Sequence, residues 1–164
     1  MPPLYYASVT VHVLAAMLWL GGMLFVAAVA APVLRTVEPD LRRTLYDRLG
    51  YRFRSIGWAC IAILLVTGLA NLWYRGFLGW DLLRDAAFWA ATFGRALAWK
   101  LAMVGVMVVA SALDDFWLGP AAGRHAPGTP DAVRLNRAAS LLARLNAVAG
   151  IILIVVAARL ARGG

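Results

Sequence analysis

Charge is scarce in this chain: only 15% of its 164 residues are Asp, Glu, Lys or Arg, and eight are acidic. A soluble domain carries about 25%, so these residues cannot supply an ordinary water-facing shell. Cysteine is scarcer still. Cys60 is the only one and lies in an apolar run, which excludes a disulfide framework and any metal motif built on paired cysteines. It says nothing about redox compartment. No paired-carboxylate, Ser-His-Asp, phosphate-loop or dinucleotide-binding constellation occurs, so hydrolytic and nucleotide chemistry are set aside. Met1-Pro2-Pro3 has no basic side chain, and the apolar run behind it is far longer than a signal h-region. The first span is therefore expected to stay in the mature protein.

What the chain does have is hydrophobic residues, 63% of the total, which marks an integral membrane protein. The net charge of +8 would suggest nucleic acid in a soluble protein. Here the arginines cluster beside apolar spans, where lipid attraction and topology control account for them, and no nucleic-acid partner is expected. The expected fold is all-α: a single four-helix transmembrane domain with spans at about 5–34, 53–74, 94–118 and 131–162. A bilayer-spanning helix needs about 20 apolar residues; the fourth helix is amphipathic and basic at first through Arg134, Arg137 and Arg144 and wholly apolar only from Ala147 to Ala158, so only its second half needs to lie in lipid.

The connections differ in character. From Asp40 to Arg54, Leu41, Leu45 and Leu49 recur every four residues among Arg42, Arg43, Asp47 and Arg48, the pattern of an amphipathic segment at the membrane surface. Arg75-Gly76 closes span two. The stretch 76–93 mixes Trp80, Phe88 and Trp89 with Asp81, Arg84 and Asp85, and reads as an interfacial loop with a short helix. Gly119-Pro120 reads as the stop of span three. His125 falls in a loop rich in Gly and Pro and is expected to be solvated, and Thr129-Pro130-Asp131 reads as N-cap, N1 and an acidic first turn.

One ionisable side chain interrupts the first span: His12, within "HVLAAMLWLGGM". An ionisable group at membrane depth is costly enough to mark a functional site by default. Three readings are open for it: a neutral imidazole bonded to a neighbouring helix, a metal ligand including haem iron, or a proton carrier. His12, Trp19 and Met23 share one stripe of span one, and Lys100, Met103, Met107, Ser111 and Asp114 share one stripe of span three. Two polar stripes in an apolar bundle tend to face each other. Gly21-Gly22 and the run Ala139, Ala143, Ala147 favour close approach. Lys100 either snorkels to the interface or points inward to a cavity shared with His12 and Asn71. Met103 and Met107 stand at core spacing, and their thioethers also suit Cu(I).

Together "HVLAAMLWLGGML" at His12–Leu24, "FGRALAWKLAMV" at Phe93–Val104 and "LDDFWLGP" at Leu113–Pro120 resemble the membrane domain of the copper-resistance D (CopD) family. The resemblance covers nearly the whole chain. It implies a multi-helix protein of the prokaryotic cytoplasmic (inner) membrane concerned with copper uptake or tolerance. The His-in-span-one, Lys-in-a-later-span arrangement is also similar to HemJ-type protoporphyrinogen oxidases, small proteins that use haem b. That similarity implies His12 as haem ligand and Lys100 as partner of substrate or haem carboxylates. Three readings follow: copper handling with His12, Met103 and Met107 as ligands; a haem-b redox protein with His12 axial and Arg75, Arg95 or Arg159 pairing with propionates; or an accessory subunit in which these residues only hold helices together. The partners expected are membrane lipid and, as an open alternative to a monomer, a homodimer or larger membrane complex.

Four spans put both termini on one side. The loops after spans one and three hold ten arginines (Arg35, Arg42, Arg43, Arg48, Arg52, Arg54, Arg124, Arg134, Arg137, Arg144). The middle loop and tail hold six basic residues (Arg75, Arg84, Arg95, Lys100, Arg159, Arg162). The positive-inside rule then places both termini outside. A cysteine substituted at Gly164 is expected to react with an impermeant maleimide added from outside; labelling only from the cytoplasmic face contradicts this topology.

Overall fold

In the computed structural model, residues 2–125 and 129–161 are described, with side chains described as far as Val156. The elements are α1 Pro3–Phe25, a π turn at Val26–Ala30, α2 Ala31–Leu34, α3 Pro39–Tyr74, α4 Trp80–Arg84, α5 Ala86–Ala90, α6 Thr92–Leu113, a second π turn at Asp114–Leu118, α7 Gly119–Gly123 and α8 Pro130–Ala161. Among the described residues there is no strand. Four continuous helical stretches are long and apolar enough to cross a membrane: Pro3–Leu34, Pro39–Tyr74, Thr92–Ala122 and Pro130–Val156. The chain is an all-α, four-span membrane protein. It divides into two compact units, residues 1–88 and 89–164, each built on one antiparallel helix pair.

Local chemistry sets the helix ends. Pro39 opens α3, where its missing N–H costs nothing, and the Glu38 carboxylate accepts from the Asp40 and Leu41 amides at 3.2 and 3.3 Å. At the other end Gly76 takes φ +75°. The Gly76 amide donates to the Trp73 carbonyl and the Phe77 amide to the Leu72 carbonyl, both at 2.9 Å, the paired bonds of a Schellman stop. Arg75-Gly76 thus ends the helix as the sequence indicates. Thr129 caps α8 as expected, its hydroxyl accepting from the Ala132 amide at 3.4 Å, and Asp131 sits in the first turn.

Several boundaries differ from the sequence reading. The amphipathic stretch 40–54 is helical, yet it is continuous with span two, so α3 runs 36 residues. At 1.5 Å per residue that is about 54 Å, well beyond the ~30 Å hydrocarbon layer. Its basic first half therefore has length to spare outside lipid. Gly119-Pro120 does not stop span three: helical backbone continues to Gly123. A proline ring clashes with the carbonyl four residues back in a regular helix. In both units a π turn comes immediately before the residue preceding proline, and the Ala31 and Gly119 amides reach five residues back, to the Val26 and Asp114 carbonyls. That extra residue per turn gives the Pro32 and Pro120 rings the room a 3.6-residue turn denies them. The segment 76–93 carries two short helices rather than one, split at Asp85, whose carboxylate accepts from the Ala87 amide at 2.8 Å.

The two units use the same design 88 residues apart: Val26 to Asp114 for the π turns, Pro32 to Pro120 for the prolines. Trp19 and Met107 correspond at that offset, and both are core residues, 4% and 0% exposed. In unit one the α1–α3 contact rests on small residues. A Cβ at Gly57 would stand 3.7 Å from the Trp19 indole, and one at Gly22 would collide with Phe53 at 2.6 Å. In unit two, α6 meets α8 through buried Met107 and Ala110 on one side and Asn146, Ala147 and Gly150 on the other. The Asn146 amide donates to the Ser111 hydroxyl at 2.9 Å. Of the alanines spaced by four on α8, Ala147 is buried and Ala143 is exposed. A spacing of four overshoots the 3.6-residue turn by about 40° per step, so three such positions cannot share one contact.

Trp19→Ala is expected to lower stability by about 3 kcal/mol, because a large buried aromatic leaves a cavity against Gly57. Trp117→Ala, at a side chain 70% exposed, is expected to change it by less than about 0.5 kcal/mol. Thermal unfolding of the detergent-solubilised protein reads both, and equal losses would contradict the assigned core.

Candidate functional site

Unit one holds His12 on the face of α1 that packs against α3. The imidazole is half-buried, and its Nδ1 lies 2.8 Å from the Thr67 hydroxyl of α3. The same hydroxyl lies 2.6 Å from the Ile63 carbonyl one turn back, and that carbonyl can only accept. With its single hydrogen committed there, the Thr67 oxygen accepts from Nδ1–H. The neutral ring is then the Nδ1–H tautomer, and Nε2 carries the basic lone pair. This is the arrangement by which metal-binding histidines are oriented, one ring nitrogen anchored on an oxygen so that the other is presented to a ligand. It also meets the simplest expectation for His12, an imidazole bonded to a neighbouring helix.

Space for the ring comes from Gly68. A Cβ there would stand 3.4 Å from His12 Cε1, in van der Waals contact, so the imidazole packs directly on α3 at this glycine. Ser8, one turn before His12, donates to the Thr67 carbonyl at 3.4 Å. Asn71, one turn beyond Thr67 on the same face of α3, has its side-chain oxygen buried with no hydrogen-bond partner among the described residues. A buried amide oxygen without a donor costs about 1–3 kcal/mol, so this oxygen is suited to a water or cation that the protein itself does not supply. Tyr5 and Tyr74 close this end of the helix pair, their rings in edge contact with centroids 6.0 Å apart.

Unit two holds the remaining candidates. Lys100 is half-buried, and together with Ala96, Trp99 and Met103 of α6 and Ile152 and Val156 of α8 it lines a cleft of about 430 Å³. It is thus placed on the side of α6 toward the partner helix α8. Met107 is packed in the core of this unit without exposed surface, and Met103 faces the cleft. Arg95 is exposed in the first turn of α6, and Arg75 is exposed at the end of α3. The side chain of Arg159 and all of Arg162 lie outside the described residues. His125 is exposed, as expected of a loop residue.

Among the described residues no three or more of His, Cys, Asp and Glu gather into a group able to hold a metal ion. Sequence reasoning found His12 and Asn71 but passed over Thr67, Gly68 and Ser8. One signal for Thr67 was present: it stands four residues before Asn71, so both fall on one face of span two. Nothing in the sequence marks Gly68 apart from the other glycines.

A comparison with known families bears on what this arrangement is for. The family model described as Copper resistance protein D matches residues 47–160, a stretch that holds Thr67, Asn71 and Lys100 and begins after His12. An uncharacterised protein of Aquifex aeolicus (strain VF5) is 33% identical over 109 residues, 66% of this chain and 66% of that relative, just under two thirds of its length. No solved structure matches the chain. With more than half of its residues matched by the family model, the chain belongs to the copper resistance protein D family.

Proposed function

We propose that this membrane protein handles copper, in uptake or tolerance, and that the metal is taken at Nε2 of His12 inside the first helix pair. The observation that carries the reading is the Thr67 bond at 2.8 Å, which holds the imidazole with Nε2 as its basic nitrogen at membrane depth. Imidazole nitrogen suits copper in either oxidation state, and divalent copper heads the affinity series for such donors. The Asn71 oxygen offers a neutral acceptor on the same helix face, suited to a water that travels with the ion. Met103 and Met107, named as thioether ligands by the sequence, stand in unit two. Of the two, Met103 keeps the access a Cu(I) ligand needs. The ligands around His12 are few, and that fits a site of passage, where an ion must be held weakly enough to leave. On this reading the protein lies in the cytoplasmic membrane with both termini outside.

Copper content of purified protein tests the reading. His12→Ala is expected to lose most bound copper, and His125→Ala to keep it. Equal copper in wild type and His12→Ala contradicts the assignment. A strong blue-region absorption band that disappears in His12→Ala would instead put haem b on the same nitrogen.

The anchoring bond is tested apart from metal. Nitrogen NMR of the copper-free wild type is expected to show the Nδ1–H tautomer of His12. In Thr67→Val, which keeps the shape and removes the acceptor, the population moves toward Nε2–H. An unchanged tautomer ratio contradicts the anchoring role of Thr67.

A further inference from the structure

The cleft in unit two calls for a ligand of its own. Its walls are apolar apart from one ammonium: Ala96, Trp99 and Met103 from α6, Ile152 and Val156 from α8, and Lys100 between them. Its volume, about 430 Å³, is within the ~300–1,000 Å³ of small-molecule sites. Trp99 and Ile152 are exposed, so the walls are accessible at the surface of this helix pair rather than closed into its core.

The repeat adds an independent observation. Lys100 stands 20 residues before Pro120 just as His12 stands 20 before Pro32, so the two occupy the same register of equivalent helices. In unit one that register faces the partner helix, where Gly68 and Thr67 receive the ring. In unit two it again faces the partner helix, but the side chain is a cation and a cleft lies beside it. A lone pair that takes a cation has been exchanged for a cation that takes an anion.

We propose that this cleft binds an acidic phospholipid, an acyl chain lying along Met103, Ile152 and Val156 and the headgroup phosphate meeting Lys100. An apolar groove with a single point charge matches a molecule with a long hydrocarbon body and one anionic end. Lysine serves as a phosphate partner through charge rather than through a planar fork. Position agrees: Lys100 lies eight residues into α6, about 12 Å from its first residue, where its flexible stem brings the ammonium to headgroup level. Basic pockets between membrane helices are known to select acidic lipids in this way.

The test uses the whole chain in nanodiscs of phosphatidylcholine doped with phosphatidylglycerol, re-extracted into mild detergent, with retained lipid counted by native mass spectrometry. Wild type is expected to keep about one phosphatidylglycerol per chain. Lys100→Met should lower that retention at least ten-fold, and Lys100→Arg should preserve it. Ala96→Leu, which fills the cleft and leaves the charge, should lower it too; it carries the test if circular dichroism shows that Lys100→Met has lost helix. Equal retention of the two lipids overturns the proposal. So does unchanged retention in a folded Lys100→Met or Ala96→Leu, or a co-purifying anion without phosphorus in the lipid's place.

Discussion

A polar group placed in hydrocarbon has no water to fall back on, and the partner it then needs must come from the protein or from what the protein binds. Each unit meets much of this demand inside one helix pair, the buried Asn71 oxygen being left without a donor among the described residues. His12 is anchored on Thr67, whose hydroxyl is in turn spent on the Ile63 carbonyl. Asn146 donates to Ser111 in the second unit. The glycines at the α1–α3 contact follow from the same demand. A Cβ at Gly68 would already touch the imidazole and one at Gly57 the Trp19 indole, so both rings pack directly against α3. Because lipid is as apolar as leucine, such close packing and bonding hold the helices together where a hydrophobic drive between them is lacking.

Much of this was legible in the sequence, and the reason is that the bilayer imposes length and polarity on the chain in register with its residues. Four apolar stretches, the Arg75-Gly76 stop and the Thr129 cap all follow from local rules. His12 announced itself as an ionisable residue in a charge-free run. What escaped was whatever depended on the partner across a contact. Thr67 is one small hydroxyl among several until the imidazole is seen against it. The Asp40–Arg54 stretch has a surface-helix pattern, yet nothing local at Phe53 breaks the helix, so α3 runs on. Proline at 120 reads as a stop under regular helix geometry, and only the π turn at Asp114–Leu118 shows how the chain continues through it.

The repeated π turn and proline give a physical account of why the two units can differ in chemistry while sharing a scaffold. A π turn before proline fixes the helical phase of everything upstream of it, so position 12 in one unit and position 100 in the other point at their partner helices. Substituting that one register changes what the pair presents: an imidazole lone pair in the first, an ammonium in the second. The family model covers residues 47–160 and so includes nearly all of the second unit's described helix pair, while of the first unit's helix pair it includes α3 from residue 47 onward and none of α1. The His12 site therefore straddles the edge of the matched stretch, with Thr67 and Asn71 inside it and the imidazole beyond.

Copper X-ray absorption on the metal-loaded, detergent-purified protein is the measurement that bears most directly on the central claim, that His12 presents Nε2 to copper. The account predicts the outer-shell scattering of an imidazole ring in the wild type and its disappearance in His12→Ala. An absorption spectrum without imidazole scattering, or one that is identical in the two proteins, would contradict it.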